Sequence, residues 1–143
     1  MLDVAVAQAA EGLAEGGVPI GGALAVGDEV LGAGRNRRLQ WGSAIRHGET
    51  DALEQAGRHP ASTYRRATMY TTLSPCHMCT GAILLYGIPR VVIGENTTFL
   101  GAEDLLRSHG VEVIVVDDDR CTDMMRRFIA EQPDVWNEDI GEE

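Results

Sequence analysis

Two short motifs, each at the predicted start of a helix, constrain this chain more than any other feature of its sequence. The first reads H-G-E over residues 47–49, and the second reads P-C-H-M-C over residues 75–79. Zinc prefers four tetrahedral ligands, and a catalytic zinc site takes three from the protein and leaves the fourth position to water. Because His47, Cys76 and Cys79 supply three such ligands, the sequence predicts a fold that brings two helix starts together around one Zn²⁺ ion.

A carboxylate accompanies the predicted zinc ligands, since Glu49 follows His47 after a single glycine. Zinc lowers the pKa of its bound water towards ~7, which makes hydroxide available at neutral pH. A neighbouring carboxylate can then carry the proton to a substrate. H-x-E combined with P-C-x-x-C is the signature of zinc-dependent deaminases, whose zinc-bound hydroxide displaces ammonia. The two motifs together predict catalysis, with Glu49 as the proton shuttle.

A structural zinc site, or a pair of buried thiols, is the alternative interpretation of the two cysteines. A structural site normally takes a fourth protein ligand. His59, His77 and His109 are the remaining histidines, and we expect all three to be surface residues because no partner accompanies them in the sequence. Cys121 is expected to be a semi-buried thiol and not a ligand.

Helix-like and strand-like segments alternate along the chain, which is typical of α/β folds. The β-branched run of residues 111–116 predicts a strand covered on both faces, in a sheet that is at least partly parallel. The acidic tail of residues 133–143 carries Trp136 and Ile140, which need a surface to pack on. Helices are predicted over residues 3–15, 47–57, 76–86, 103–108 and 121–130, and strands over residues 22–26, 29–34, 68–73, 91–93 and 111–116.

Composition and charge limit the class of protein. The chain shows no repeat and no linker, so we expect one domain over residues 1–143. Its 22 acidic and 12 basic residues give a net charge of −10, which repels a long RNA or DNA partner. No apolar run approaches the ~20 residues that span a membrane, and the N-terminus lacks a targeting pattern. The sequence therefore predicts a soluble cytoplasmic protein without nucleic-acid or membrane partners.

Beyond the two motifs, the chain from about Ala10 to its end resembles the fungal-type cytosine deaminases of the cytidine deaminase-like superfamily. The resemblance implies an α/β fold, a three-layer α/β/α sandwich with a central five-stranded mixed sheet. It also implies a homodimer with one Zn²⁺ per subunit that converts the free base cytosine to uracil. The segments that carry it are residues 15–22, 71–76, 79–83, 86–90, 94–96 and 138–142.

The same resemblance assigns roles in binding the base. Asn36 would hydrogen-bond the pyrimidine carbonyl, helped by the backbone N–H of Gly48. The backbone carbonyl of Ser74 and the carboxylate of Asp139 would receive the amino group. From its sequence context alone, Asn36 is more typical of a turn after a strand, and it is the resemblance that favours the binding role.

Three apolar residues would clamp the ring by the same resemblance, namely Ile20, Phe99 and Trp136. From the sequence alone, the two aromatics are expected to pack in the core, and it is the resemblance that places them around the base. Residues 136–140 would close over the base, which leaves little room for ribose.

The chain also departs from the family pattern. Its N-terminus is shorter, Arg35 precedes the binding asparagine, and Asn137 replaces an aromatic next to Trp136. Arg35 would change a contact behind the site, and Asn137 would loosen the closing segment of residues 136–140. The sequence therefore predicts the type of reaction more closely than the exact base that is accepted. The basic run of residues 35–38 is expected to be a solvated turn.

Two other functions stay open. A guanine, adenine or creatinine-type deaminase would use the same zinc chemistry in a differently shaped pocket, and a tRNA-editing deaminase would need a basic surface. A catalytically silent zinc-binding subunit is the alternative of another class, although such a protein has no need for Glu49.

Overall fold

The computed structural model describes all 143 residues, which form eight helices and one five-stranded sheet. The helices are α1 Leu2–Ala14, α2 Arg38–Trp41, α3 Gly48–Ala56, α4 Ala61–Tyr64, α5 His77–Tyr86, α6 Glu103–Ser108, α7 Asp119–Glu131 and α8 Pro133–Asp139. The strands are β1 Gly21–Val26, β2 Glu29–Arg35, β3 Thr68–Leu73, β4 Arg90–Glu95 and β5 Glu112–Val115. None of the helices has both the length and the apolar character needed to cross a membrane.

The sheet is mixed, as predicted, and its strand order is β2-β1-β3-β4-β5. β1 and β2 form an antiparallel hairpin, and β1 also pairs antiparallel with β3. β3, β4 and β5 run parallel to one another. Parallel neighbours need a crossover connection, which α5 provides between β3 and β4 and α6 provides between β4 and β5.

Helices cover both faces of the sheet, which confirms the three-layer arrangement. Successive strand residues point to opposite faces. A Cβ at Gly21 would lie 2.0 Å from the Ala5 carbonyl oxygen of α1, whereas a Cβ at Gly22 would lie 2.6 Å from the carbonyl oxygen of Gly48 at the start of α3. α1 and α3 therefore lie on opposite faces, and only glycines let both backbones approach β1 so closely.

Two hydrophobic clusters form the core. The larger cluster packs α5 and α6 against the sheet through Leu24, Tyr64, Ala67, Met69, Ile83, Ile88, Val91, Ile93, Leu106 and Val111. The smaller cluster joins the end of β3 to α7 and α8 through Val18, Ile20, Leu73, Met125, Phe128 and Trp136. Trp136 therefore anchors the acidic tail to the rest of the domain. The sequence indicates that this residue needs a surface to pack on.

Two features differ from the sequence-based expectations. β5 is not covered on both faces, and it is the last strand in the sheet order, paired only with β4. Its residues are half-buried or exposed, and Val116 just beyond it is 48% exposed. The short helices α2, α4 and α8 were not predicted, since four to seven residues are too few to show a clear helical period.

Candidate active site

The three candidate zinc ligands lie at the first turns of α3 and α5. Cys76 is the N-cap of α5 and Cys79 is the third residue inside that helix. An N-cap side chain points back towards the backbone of the third helical residue. The two-residue spacer therefore places both sulfurs on one side of the helix start. His47 is the N-cap of α3, and its backbone N–H donates to Thr50 Oγ1 at 2.9 Å in a capping box that fixes the residue.

The ligand atoms converge closely enough for one zinc ion. His47 Nδ1 lies 3.4 Å from Cys76 Sγ and 3.6 Å from Cys79 Sγ, and all three ligand atoms lie within 4.8 Å of one another. Tetrahedral zinc with Zn–S of ~2.3 Å and Zn–N of ~2.0 Å separates a nitrogen ligand from a sulfur ligand by about 3.6 Å. This donor set and spacing fit zinc, as the sequence predicts.

The electrostatics of the cluster favour a thiolate at Cys76. A hydrogen bond from the Cys79 thiol, opposed by burial and reinforced by His47, lowers the pKa of Cys76 to about 4. Burial disfavours the protonated form of His47, but the Cys76 sulfur and the charges of Asp139 and Glu49 raise the pKa of His47 to about 9. Thiolate is the form of cysteine that binds a metal.

Glu49 is the candidate proton carrier, and the fold buries it in the first turn of α3. Burial raises the pKa of Glu49 above its ordinary value, although the charge of His47 acts in the opposite direction. Thr71 of β3 donates from Oγ1 to Glu49 Oε1 at 2.9 Å and so orients the carboxylate. A carboxyl group with a raised pKa is suited to accept and then return a proton near neutral pH.

Asn36 and Asp139 form a buried polar pair beside this cluster. Asn36 follows β2 and Asp139 ends α8, yet Asn36 Nδ2 donates to Asp139 Oδ1 at 2.9 Å. The other carboxylate oxygen of Asp139 lies 3.5 Å from His47 Nε2. Asn36 Oδ1 accepts the backbone N–H of Arg38, and its Nδ2 carries a second N–H besides the one that donates to Asp139.

A small cavity of about 20 Å³ lies between these groups. Phe99 and Trp136 meet edge to face over it with their ring centroids 5.8 Å apart. The cavity is lined by Ile20, His47, Glu49, Leu73, Ser74, Cys76, Phe99, Trp136, Asp139 and Ile140. Of the residues that the sequence assigned to the site, Asn36, Gly48 and Cys79 do not line the cavity, although Asn36 contacts Asp139 and Cys79 contacts His47, which do.

Two further candidate residues occupy the edges of the site. Gly48 is buried at the start of α3, and a Cβ there would lie 2.9 Å from the backbone carbon of Gly21. Ser74 is buried after β3, where its Oγ donates to Glu103 Oε2 at 2.6 Å and accepts the backbone N–H of Gly101 at 2.9 Å. These contacts fix the loops that carry the cavity lining.

The sequence did not identify Thr71 and Leu73 as site residues, although a signal for both was present. They alternate along β3, so they share the face of the strand that meets Glu49 and the cavity. Arg38 was also missed, and it donates to both Glu138 oxygens at 2.7 and 2.9 Å and lies 3.4 Å from Asp139 Oδ1. Arg38 thereby ties α8 to the segment that follows Asn36.

The prediction that residues 35–38 form a solvated turn was wrong. The arginine side chains at 35, 37 and 38 are only 13–15% exposed, and each is paired with carboxylates. Arg35 donates from Nε to Glu15 at 2.9 Å, which attaches the end of β2 to α1. The acidic partners come from α1, α3 and α8, so the local sequence could not reveal them. The histidines follow the prediction better, since His77 and His109 are exposed and His59 is half-buried.

Comparison with known proteins identifies relatives of this arrangement. The profile of the family described as "Cytidine and deoxycytidylate deaminase zinc-binding region" matches residues 1–95. A cytosine deaminase from Candida albicans is 58% identical over 142 residues, which cover 99% of this chain and 95% of that protein. A tRNA-specific adenosine deaminase from Streptococcus pyogenes is 32% identical over 139 residues, covering 89% of this chain and 86% of that protein.

A solved structure from a related study also shares this fold. A solved structure from a study of A-to-I editing by tRNA:A34 deaminases superposes with a TM-score of 0.74 and 24% identity, covering 86% of this chain and 96% of the other. Since the family profile spans more than half of this sequence and the Candida albicans relative aligns almost end to end, the chain belongs to the cytidine and deoxycytidylate deaminase family of zinc-binding proteins.

Proposed function

We propose that this protein is a zinc-dependent hydrolase that deaminates free cytosine, with water, to uracil and ammonia. The observation that carries the chemistry is the buried Glu49 beside the converging atoms of His47, Cys76 and Cys79. The choice of cytosine is supported by the 58% identity to the cytosine deaminase of Candida albicans.

Different residues of the site would carry out different parts of the reaction. His47, Cys76 and Cys79 would hold zinc, which supplies Lewis-acid activation of water when bound. Glu49 would take one proton from the attacking water and pass it to the ring nitrogen of the base. It would then take the second proton of that water and pass it to the amino group, which leaves as ammonia while the ring carbonyl forms. Thr71 would keep the Glu49 carboxylate aimed at the reacting atoms throughout.

The polar groups around the cavity complement the edge of a pyrimidine. The free amide N–H of Asn36 and the backbone N–H of Gly48 would donate to the ring carbonyl. The carboxylate of Asp139 and the backbone carbonyl of Ser74 would accept from the amino group. This pairing leaves few buried polar groups of the base unsatisfied, which is how such a site rejects a base lacking them.

Ile20, Phe99 and Trp136 would hold the two faces of the ring, with α8 as a lid. A cavity of about 20 Å³ has room for about one water molecule, so α8 or the loop carrying Phe99 must move before a base can enter. After closure, the same packing would exclude the ribose of a nucleoside. It would also remove water from the site, which strengthens the interactions of Glu49 and Asp139 with the base.

The test is ammonia release by the zinc-loaded protein from separate solutions of cytosine, guanine, adenine and creatinine. We expect turnover of cytosine alone, because the Asn36 and Asp139 pair matches its carbonyl and amino groups. Selective turnover of a purine would refute the proposed substrate and retain the zinc chemistry. No release from any of the four compounds would favour a silent zinc-binding protein or a tRNA substrate, and a short tRNA anticodon stem-loop would then separate those two.

We also propose that two copies associate through the exposed face of α5. This face carries Leu85, which is 76% exposed, together with Met78 and Tyr86. A groove of about 680 Å³ extends from this face of α5 towards α3. The groove is lined by Arg46 and Arg58 as well as Glu54, so a twofold contact can pair opposite charges from the same surface on both copies. Exposed apolar surface of this kind is typical of an interface.

Leu85→Glu is expected to convert the dimer to a monomer, because the contact would have to bury an unpaired charge. Light scattering after gel filtration should give twice the chain mass of 15.4 kDa for the unaltered protein and the single mass for the variant. Leu13→Glu on α1 is the matched control, since Leu13 is exposed on a helix at the other face of the sheet and should leave the dimer intact. A monomeric unaltered protein, or an equally dimeric Leu85→Glu variant, would contradict this interface.

A reducing location agrees with this function. Cys76 and Cys79 must remain thiols to bind zinc, and neither is in a disulfide. We therefore propose the cytoplasm as its compartment.

A further inference from the structure

Asp51 is a fully buried carboxylate with an exposed fraction of 0%, and it binds the segment that carries Asn36. Its Oδ2 accepts the backbone N–H of Arg35 and the Nε–H of Arg37, each at 2.9 Å. Its Oδ1 accepts from Arg46 NH1 at 2.6 Å. Asp51 thus contacts the residues on both sides of Asn36.

The close approach of β2 to α3 reinforces these contacts of Asp51. A Cβ at Gly34 would lie 2.7 Å from Asp51 Oδ2 and 2.5 Å from the Ala52 backbone nitrogen, so only glycine lets β2 lie against α3 here. The backbone N–H of Arg37 donates to the carbonyl of Arg46 at 2.9 Å, which closes the loop between them. The segment carrying Asn36 is therefore fixed through both its backbone and its flanking side chains.

Trp41 covers the outer side of this network. The guanidinium carbons of Arg37 and Arg46 lie 4.5 and 4.8 Å from its ring centroid. A cation over an aromatic face is attracted to it, and the burial of the Asp51 carboxylate strengthens its ion pairs with both arginines. Charge-assisted hydrogen bonds to a dry carboxylate have narrow geometry, so this arrangement can hold a neighbouring group in one position.

We propose that Asp51 is a positioning residue for base recognition. It holds the Asn36 amide against Asp139, so that one amide N–H stays aimed at the ring carbonyl of the substrate before the substrate arrives. Asp51 does not line the cavity and touches no reacting atom. This inference rests on the proposed function, because it takes the base carbonyl as the partner of Asn36.

The test is a double-mutant cycle with Asp51→Asn and Asn36→Ala, measured as kcat and KM for cytosine. Asp51→Asn should raise KM by about tenfold or more and change kcat less, because a misplaced binding group weakens the bound state. In the Asn36→Ala background, the same change should have little further effect on KM. Equal effects of Asp51→Asn in both backgrounds would overturn the proposal, since a merely structural role does not depend on Asn36.

Asp118→Asn is the matched control. Asp118 also accepts a backbone N–H and a guanidinium, both from Arg120, but it caps α7 and does not line the cavity. We expect its variant to keep the KM of the unaltered protein. If Asp51→Asn fails to fold, Arg37→Gln removes one contact of Asp51 while leaving the buried carboxylate paired with Arg46, and it should raise KM in the same Asn36-dependent way.

A second readout separates this proposal from the proposed function. The side-chain amide of Asn36 should exchange its protons with solvent at least about tenfold faster in Asp51→Asn than in Asp118→Asn, as measured by NMR. Unchanged exchange would overturn the positioning role whether or not the protein acts on cytosine. Faster exchange in a protein that does not turn over cytosine would support the positioning of Asn36 by Asp51 and reject only the substrate.

Discussion

Replacing Glu49 with glutamine is expected to lower kcat for deamination by about 10³-fold or more while preserving the fold and the bound zinc. Glutamine has nearly the same shape and can still bond to Thr71, but its amide cannot accept and return a proton. General acid–base catalysis by a positioned side chain contributes ~10²–10⁴-fold, and Glu49 is asked to move protons at more than one stage. Steady-state kinetics, zinc content and thermal unfolding on the same sample would measure the three properties.

The exposed Glu131 provides the control for this experiment. It ends α7 away from the cavity, so Glu131→Gln should leave kcat unchanged. Full activity of Glu49→Gln would contradict the assignment of Glu49 as proton carrier. Loss of activity accompanied by loss of zinc or fold would point to a structural role of this buried residue.

Replacing Cys79 with alanine is expected to reduce bound zinc from one ion per chain to nearly none and to abolish turnover. The change leaves only His47 and Cys76, and two protein ligands do not make a stable zinc site in proteins of this kind. Metal analysis after gel filtration gives the zinc content, and thermal unfolding should show a lower Tm because binding of zinc to the folded state stabilises it.

Cys121→Ala is the matched control for metal binding. Burial raises the pKa of Cys121 to about 12, so this thiol stays protonated at neutral pH, and it packs against Gly94 outside the ligand cluster. We expect Cys121→Ala to keep one zinc ion per chain. Zinc retained by Cys79→Ala, or lost from Cys121→Ala, would overturn the ligand assignment.

The ligand cluster could be predicted from the sequence because its geometry is local. Cys76 and Cys79 stand at the N-cap and third positions of one helix, and His47 and Glu49 share the first turn of another. Each pair is fixed by a few bonds of backbone, and only the meeting of the two helices depends on the fold. The family resemblance then implied the sheet that brings them together.

Contacts between distant segments could not be predicted in the same way. The arginines of residues 35–38 look like a solvated turn in the sequence, but Glu11, Asp51 and Glu138 pair with them from three other helices. The edge position of β5 was hidden for a similar reason, because β-branched residues favour a strand without specifying its place in the sheet. Contacts between segments that are distant in the sequence decide both the burial of these arginines and the place of β5 in the sheet.

The measurement that tests the proposed function most directly is uracil formation by the zinc-loaded protein from cytosine, compared with deamination of cytidine in the same assay. We expect rapid turnover of cytosine and a kcat/KM for cytidine lower by at least about 10³-fold, because in the proposed site Phe99, Trp136 and α8 close over the base and exclude ribose. Comparable turnover of cytidine would contradict the closed lid, and the absence of uracil from cytosine would contradict the proposed function itself.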